Sequence, residues 1–231
     1  MAAGTARGIL ITGTDTGVGK TLAACALLRA FAARGLRAIG MKPIAAGAER
    51  HGSELRNEDV ERLRAAGNIA APRKSVNVYC FEAPIAPHIA ARRAGVRMAL
   101  APIEHAYRTL ASQADIVIVE GVGGFRVPLN ECEDTSDLAA RLRLPVVLVV
   151  GMRLGCLNHA LLTAEAIEAR RLRLAGWIAN HIDPDMEQAE DNVTTLAQRI
   201  AAPCIARIPF QRAPQPDITS VLCIDGLLEK S

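Results

Sequence analysis

The chain has 231 residues, half hydrophobic and only 3% aromatic, so Ala, Val, Leu and Ile supply a sizeable core for one α/β unit. Lys+Arg number 27 against 24 Asp+Glu, a formal net charge of +3. That near balance argues against a nucleic-acid binder, which concentrates basic residues on one face.

Taken in order, Gly8–Thr12 reads as a buried strand, and Thr21–Arg34 as a helix stopped by Gly35. Ala38–Met41 is a short strand, and Asn57–Ala66 a helix ending at Gly67. Ile103–Gln113 reads as a helix, and Asp115–Glu120 as a buried strand with an acid at its end. Pro145–Val150 is a strand, Asn158–Arg171 a helix and Gly176–Asn180 a strand. Asn192–Ile200 is a helix and Cys204–Ile208 a last strand, before a Pro-rich turn over Arg212–Asp217. Unbroken apolar strands separated by helices predict a single α/β domain over residues 1–231. Its sheet is doubly wound, mostly parallel and covered by helices on both faces.

The six cysteines form no C-x-x-C pair and several lie in apolar runs. Neither a thiolate metal centre nor a disulfide framework is expected. No apolar stretch approaches the roughly 20 residues of a membrane span, and no basic region precedes an apolar run at the N-terminus. A reduced, cytoplasmic protein without a membrane partner is expected.

Ligands on such a sheet bind beyond the carboxyl ends of the strands. The richest segment there is Gly13-Thr14-Asp15-Thr16-Gly17-Val18-Gly19-Lys20-Thr21, between a strand and a helix. It is a phosphate-binding loop of the P-loop NTPase kind, with one departure from G-x-x-x-x-G-K-[ST]. Thr14 stands where the first glycine belongs, and Gly13 comes one residue early. Its glycines let backbone N–H groups approach phosphate, Lys20 should reach the β and γ phosphates, and Thr21 should hold Mg²⁺. Glu120 closes a strand beside this loop and can also hold Mg²⁺, with Gly121-Val122-Gly123-Gly124 as the turn after it. Lys42 ends the second strand and suits a reaction that builds negative charge at phosphate. On spacing alone Asp59 is an acid of a helix start, where the dipole favours it. The histidines show no metal-ligand spacing, and none is assigned to catalysis.

Together these residues resemble the dethiobiotin synthetase family, over nearly the whole chain. The resemblance rests on the Gly13–Thr21 loop, Met41-Lys42-Pro43-Ile44, Leu55-Arg56-Asn57-Glu58-Asp59, Ala86-Pro87-His88 and Val119–Gly124. It continues in Leu154-Gly155-Cys156-Leu157-Asn158-His159 and Ala175–Asn180. It implies an ATP- and Mg²⁺-dependent homodimer that joins 7,8-diaminopelargonic acid (7,8-diaminononanoate) to CO2 through a carbamate and a carbamic–phosphoric anhydride. It places Mg²⁺ on Thr21, Asp59 and Glu120, which lifts Asp59 from a helix acid to a ligand. Catalysis falls to Lys20 and Lys42. Nucleotide contacts fall to Gly17, Val18, Gly19, Lys20, Thr21, Leu22, Asp59, Glu120, Gly121, Val122 and Gly123, with the base near Asn180, His181, Pro209, Phe210 and Gln211. Substrate contacts fall to Thr16, Lys42 and the helix start at Gly155, Cys156, Leu157 and Asn158, near the partner subunit.

Two departures stand out. Ala46 replaces a substrate-contacting Ser or Thr, and His181 stands where some relatives carry Asp. The rival readings are a partitioning-type switch ATPase, a corrin-precursor amidotransferase and a catalytically silent nucleotide-binding module. The first lacks its extra loop lysine here, the second needs a glutaminase domain, and Lys20, Thr21, Lys42, Asp59 and Glu120 argue against the third.

Overall fold

The computed structural model describes residues 7–211 and 218–227. In chain order the elements are β1 (Arg7–Gly13), α1 (Lys20–Ala33), β2 (Ala38–Met41), β3 (Ile44–Ala46), β4 (Glu49–His51) and β5 (Glu54–Arg56). There follow α2 (Glu58–Ala66), α3 (Arg73–Val76), β6 (Tyr79–Phe81), α4 (Pro87–Arg93), α5 (Leu100–Ala111), β7 (Ile116–Glu120) and α6 (Thr135–Leu142). The chain closes with β8 (Val146–Met152), α7 (Cys156–Ala169), β9 (Leu174–His181), α8 (Ala189–Arg199), β10 (Cys204–Ile208) and short 3-10 turns at Thr219–Val221 and Asp225–Leu227. The Pro-rich turn expected over Arg212–Asp217 lies outside the described residues.

Six strands form one parallel sheet in the order β10-β9-β8-β1-β7-β2. β7 and β8 are buried at every position, as strands covered on both faces must be. Alternation along β1 divides the core. Ile9 and Ile11 pack with Leu27, Leu28 and Phe31 of α1, while Leu10 faces Ile103 and Leu110 of α5 and Leu138 of α6. On that second face α7 and α8 close over β8 and β9 through Ala160, Val193, Leu196 and Trp177.

All the strands and helices read from sequence exist, with edges moved by local chemistry. The helix expected from Asn158 starts at Cys156, because Gly155 at φ +94° supplies the left-handed entry. The helix expected over Ile103–Gln113 runs over Leu100–Ala111, since Pro102 is tolerated in a first turn. Unexpected are the small parallel β3–β6 ladder, the antiparallel β4–β5 hairpin and the helices α3 and α6.

Strand register assembles the site. Ile11 pairs with Glu120, Met41 with Val119, Gly13 with Val149, and Gly151 with Asn180. The carboxyl ends of β1, β7, β2, β8 and β9 therefore finish at one edge. The phosphate loop, Glu120, Lys42 and Asn180 meet there although they are far apart in sequence.

Candidate active site

The loop from Gly13 to Thr21 is stapled to the sheet. The Thr14 N–H donates to Val149 O at 3.0 Å, and the Gly151 N–H donates to Thr14 Oγ1 at 3.4 Å. Gly17 and Gly19 have φ of +76° and +92°, so both need the freedom of glycine. A Cβ on Gly19 would lie 2.2 Å from Asn180 Nδ2, and that same Nδ2 donates to Val18 O at 2.8 Å. Asn180 thus clamps the turn from which the first N–H groups of α1 open. Lys20 Nζ donates to Asp15 O at 2.8 Å. Burial, reinforced by the charge of Lys42, pulls its pKa down to about 8.

Beneath the loop sits a buried charge cluster. Lys42 Nζ lies 2.5 Å from Glu120 Oε1 and 2.8 Å from Asp59 Oδ2, with the Lys42 and Glu120 side chains only 6% and 1% exposed. Burial works to strip the charge from Lys42, but Glu120 and Asp59 outweigh it and hold the ammonium above its ordinary value. Burial pushes the Glu120 carboxyl up, against the pull of Lys42. Burial works to raise Asp59 too, but the Lys42 charge and hydrogen bonds from Lys42 and Thr21 leave it lowered. Thr21 Oγ1 donates to Glu120 Oε1 at 2.8 Å. Asp59 reaches the cluster because Asn57 caps α2, accepting from the N–H groups of Asp59 and Val60. Asn57 Nδ2 also donates to Ala46 O at 3.2 Å, so the cleft at Ala46 offers backbone already tied to α2 rather than a hydroxyl.

These groups line a cleft of about 850 Å³ that also holds Thr16, Gly17, Gly19, Leu22, Val122 and Gly123. Its far wall is the apolar turn Pro84-Ile85-Ala86-Pro87 leading into α4, and its rim carries Arg62, Arg126 and Val127. Sequence reasoning passed over these rim residues because nothing in their spacing sets them apart. Val18 is buried under the loop, and Gly121 turns away, its N–H bonded to Ile11 O at 2.9 Å. His181 Nε2 lies 3.6 Å from Glu190 Oε1, and Pro209, Phe210 and Gln211 follow β10 on the far side of β9. Gly155, Cys156, Leu157 and Asn158 do not line this cleft; Cys156 is buried in the core under α7.

No cluster of three or more His, Cys, Asp or Glu suited to a metal occurs among the described residues. Thr21, Asp59 and Glu120 offer a hydroxyl and two carboxylates, and Glu120 Oε2 is buried without a partner. Mg²⁺ typically takes one or two carboxylates and completes its shell with water and substrate phosphates, so this donor set fits it.

The family described as an AAA domain matches residues 7–216. Curated relatives at 53–56% identity are named ATP-dependent dethiobiotin synthetase. That of Ralstonia nicotianae is 56% identical over 90% of both chains. That of Aromatoleum aromaticum is 54% identical over 91% of this chain and 93% of its own. The chain belongs to the ATP-dependent dethiobiotin synthetase family. Solved structures at lower identity agree in fold. A ParA family ATPase from Chlorobium tepidum gives a TM-score of 0.57 at 12% identity, over 96% of this chain and 99% of its own. The 54 kDa signal recognition particle protein from Aeropyrum pernix gives 0.54 at 18% identity, over 96% of this chain and 44% of its own. The likeness is one of fold, and in this chain no lysine precedes Lys20.

Proposed function

We propose that this member of the dethiobiotin synthetase family converts 7,8-diaminononanoate, CO2 and ATP into dethiobiotin, ADP and phosphate at the cleft beneath the phosphate loop. The observation that carries the reading is Lys42, held between Asp59 and Glu120 directly beside Lys20 and Thr21. One substrate amine adds to CO2, loses a proton and becomes a carbamate. A carbamate oxygen attacks the γ phosphorus, the bond to the ADP oxygen breaks, and a carbamic–phosphoric anhydride forms. The neighbouring amine then attacks the carbonyl carbon, loses a proton and expels phosphate, closing the ureido ring. Two anions must meet in the second step, so offsetting charge is the central demand on the protein. Lys20 swings from the Asp15 carbonyl to the phosphates, and Lys42 stays ammonium because its two carboxylates hold it so. Mg²⁺, held by Thr21, Asp59 and Glu120, would neutralise phosphate charge. Gly17, Val18, Gly19 and Leu22 shape the phosphate cradle, and Gly121, Val122 and Gly123 form its opposite side. Asn180, His181, Pro209, Phe210 and Gln211 are proposed to receive the base. An amide fits adenine because it offers a donor and an acceptor side by side.

Thr16 is proposed to contact the diamine. The substrate carboxylate is proposed to lie on the α7 start of a second subunit, over Gly155, Cys156, Leu157 and Asn158. A homodimer is supported by two exposed apolar side chains, Leu154, 94% exposed just before α7, and Leu162 on α7. No helix among the described residues is long and apolar enough to cross a membrane, and a cytoplasmic location is proposed. The whole of residues 1–231 is proposed to form one domain. The test is incubation of folded protein with the diamine, ATP, Mg²⁺ and labelled bicarbonate. Label should enter an acid-stable ureido product; folded protein that incorporates none would sink the reading.

A further inference from the structure

Arg126 stands on the rim of the same cleft as Lys42 and Thr16. It belongs to the loop after β7, which crosses close to the phosphate loop. A Cβ on Gly123 would lie 3.7 Å from Thr16 Oγ1, and one on Gly124 would lie 3.9 Å from Thr14 O. Arg126 is therefore on the Thr16 side of the cleft, where the diamine is proposed to bind.

The side chain is tethered without being used up. Arg126 Nε donates to Asp134 Oδ2 at 2.5 Å. Asp134 is itself fixed as the N-cap of α6. Its Oδ1 accepts from the Ser136 N–H at 2.7 Å and from Ser136 Oγ at 2.5 Å, and its own N–H donates to Asp137 Oδ2 at 2.8 Å. Among the described residues, Asp134 is the one hydrogen-bond partner of the guanidinium, so the two terminal amino groups keep their donors. Of the other cations lining the cleft, Lys42 is bridged by Glu120 and Asp59, and Lys20 is the group proposed to reach the phosphates. Arg62 donates to Glu58 and keeps its Nε buried without a partner, but it stands on α2, the helix that carries Asp59, rather than on the loop beside Thr16.

A guanidinium offers parallel N–H donors that match a planar carboxylate in bidentate fashion, and it stays charged throughout. The phosphates of ATP have their own cradle in the loop. The planar oxyanion that arises on the substrate side is the carbamate –NH–CO2⁻. Held at both oxygens by the two terminal amino groups of Arg126, it would keep a free lone pair on the oxygen nearer the γ phosphorus. We propose that Arg126 binds the carbamate formed on the diamine substrate, with Asp134 fixing the direction of its fork. The assignment rests on the dethiobiotin-forming reading of the cleft.

The experiment compares wild type, Arg126→Met and Arg126→Lys with 7,8-diaminononanoate and with the same vicinal diamine lacking its carboxylate (2,3-diaminooctane). Arg126→Met should lower kcat/KM about tenfold with both substrates, the ordinary scale for one half-exposed charge-assisted contact. The KM for ATP should not change, and Arg126→Lys, which keeps the charge but not the fork, should recover part of the loss. A loss with the diamino acid alone would assign Arg126 to the remote carboxylate and overturn the carbamate assignment. Equal kinetics for Arg126→Met and wild type would overturn it outright. Inactive wild type would instead sink the underlying reading, so the two failures are distinguishable. If Arg126→Met does not fold, Arg126→Lys retains the ion pair with Asp134 and decides the matter, because an undiminished kcat/KM in that variant refutes the need for the fork.

Discussion

Lys42→Met tests the charge cluster most directly, because it removes one ammonium and leaves two carboxylates. Glu120 is 1% exposed and loses its partner at 2.5 Å, while Asp59, 36% exposed, can turn to water. Stranding one member of a buried pair costs about 3–5 kcal/mol. An independent bound comes from protonation. A carboxyl that must be neutral at pH 7 but would ionise near 4.3 in the unfolded chain costs about 3.7 kcal/mol, at about 1.4 kcal/mol per pH unit. The two estimates agree, and the second adds a pH signature. Burial already raises the Glu120 pKa, and losing Lys42 raises it further. A carboxyl whose folded pKa lies above its unfolded value binds more protons when folded, so its deficit is smallest at low pH and grows as pH rises toward the folded pKa. Urea unfolding without Mg²⁺ at pH 5, 6 and 7 should show the gap between wild type and Lys42→Met widening, by at most about 1.4 kcal/mol per unit. Lys42→Met/Glu120→Gln should close most of the gap at pH 7. Turnover should fall about a hundredfold or more in both variants, on the scale of losing one preorganised group that stabilises transition-state charge. A pH-independent gap, or a double variant no more stable than the single, would refute a buried charge pair at this position.

Two further predictions concern the loop and the helix behind it. Gly19→Ala places a Cβ at φ +92° and 2.2 Å from Asn180 Nδ2, so the clamp must open. Stability should fall about 1–2 kcal/mol and ATP affinity about tenfold or more, read by thermal melting and calorimetry; an unchanged affinity would show that the clamp does not set the cradle. Cys25 lies on α1, and burial raises its thiol pKa to about 11, whereas Cys132 and Cys223 are exposed. Native alkylation at pH 8 followed by mass spectrometry should modify Cys132 and Cys223 and spare Cys25. Modification of Cys25 at the rate of Cys132 would mean that α1 opens far more readily than its packing implies.

The sheet and half of the site were readable because a buried parallel strand announces itself as an unbroken apolar run and delivers its next residue to the ligand edge. Glu120 and Lys42 are the residues at the ends of β7 and β2, so strand recognition already placed them. Asp59 was different. Its spacing describes only a helix start, and resemblance alone made it a ligand. The structure brings Asp59 to the site through Lys42, whose ammonium lies between Asp59 and Glu120. The opposite wall was less readable. β3 and β6 have three residues each, too few for a period to emerge, and among the described residues they pair with each other and not with the main sheet. Arg126 gave no signal either, since its meaning depends on Asp134, whose direction is set by a capping box on a helix that the pattern did not reveal.

The irregular first glycine of the phosphate loop follows from the same geometry. A Cβ at position 13 would lie 2.6 Å from Val18 Cγ2 and 3.1 Å from Lys20 Cγ, so the close approach that demands glycine occurs there. At position 14 a side chain is accommodated, and its hydroxyl accepts from the Gly151 N–H while the Thr14 N–H extends the pairing with β8. One more residue is thereby anchored to the sheet before the loop departs. The next two form the tip. Asp15 offers its carbonyl to Lys20 and its carboxylate to Arg153 at 2.5 Å and to the Thr16 N–H at 2.7 Å. Thr16 is thus fixed in the cleft opposite Gly123. Lys42, Thr16 and Arg126 line that cleft together, and the proposed second reactant would stand between them.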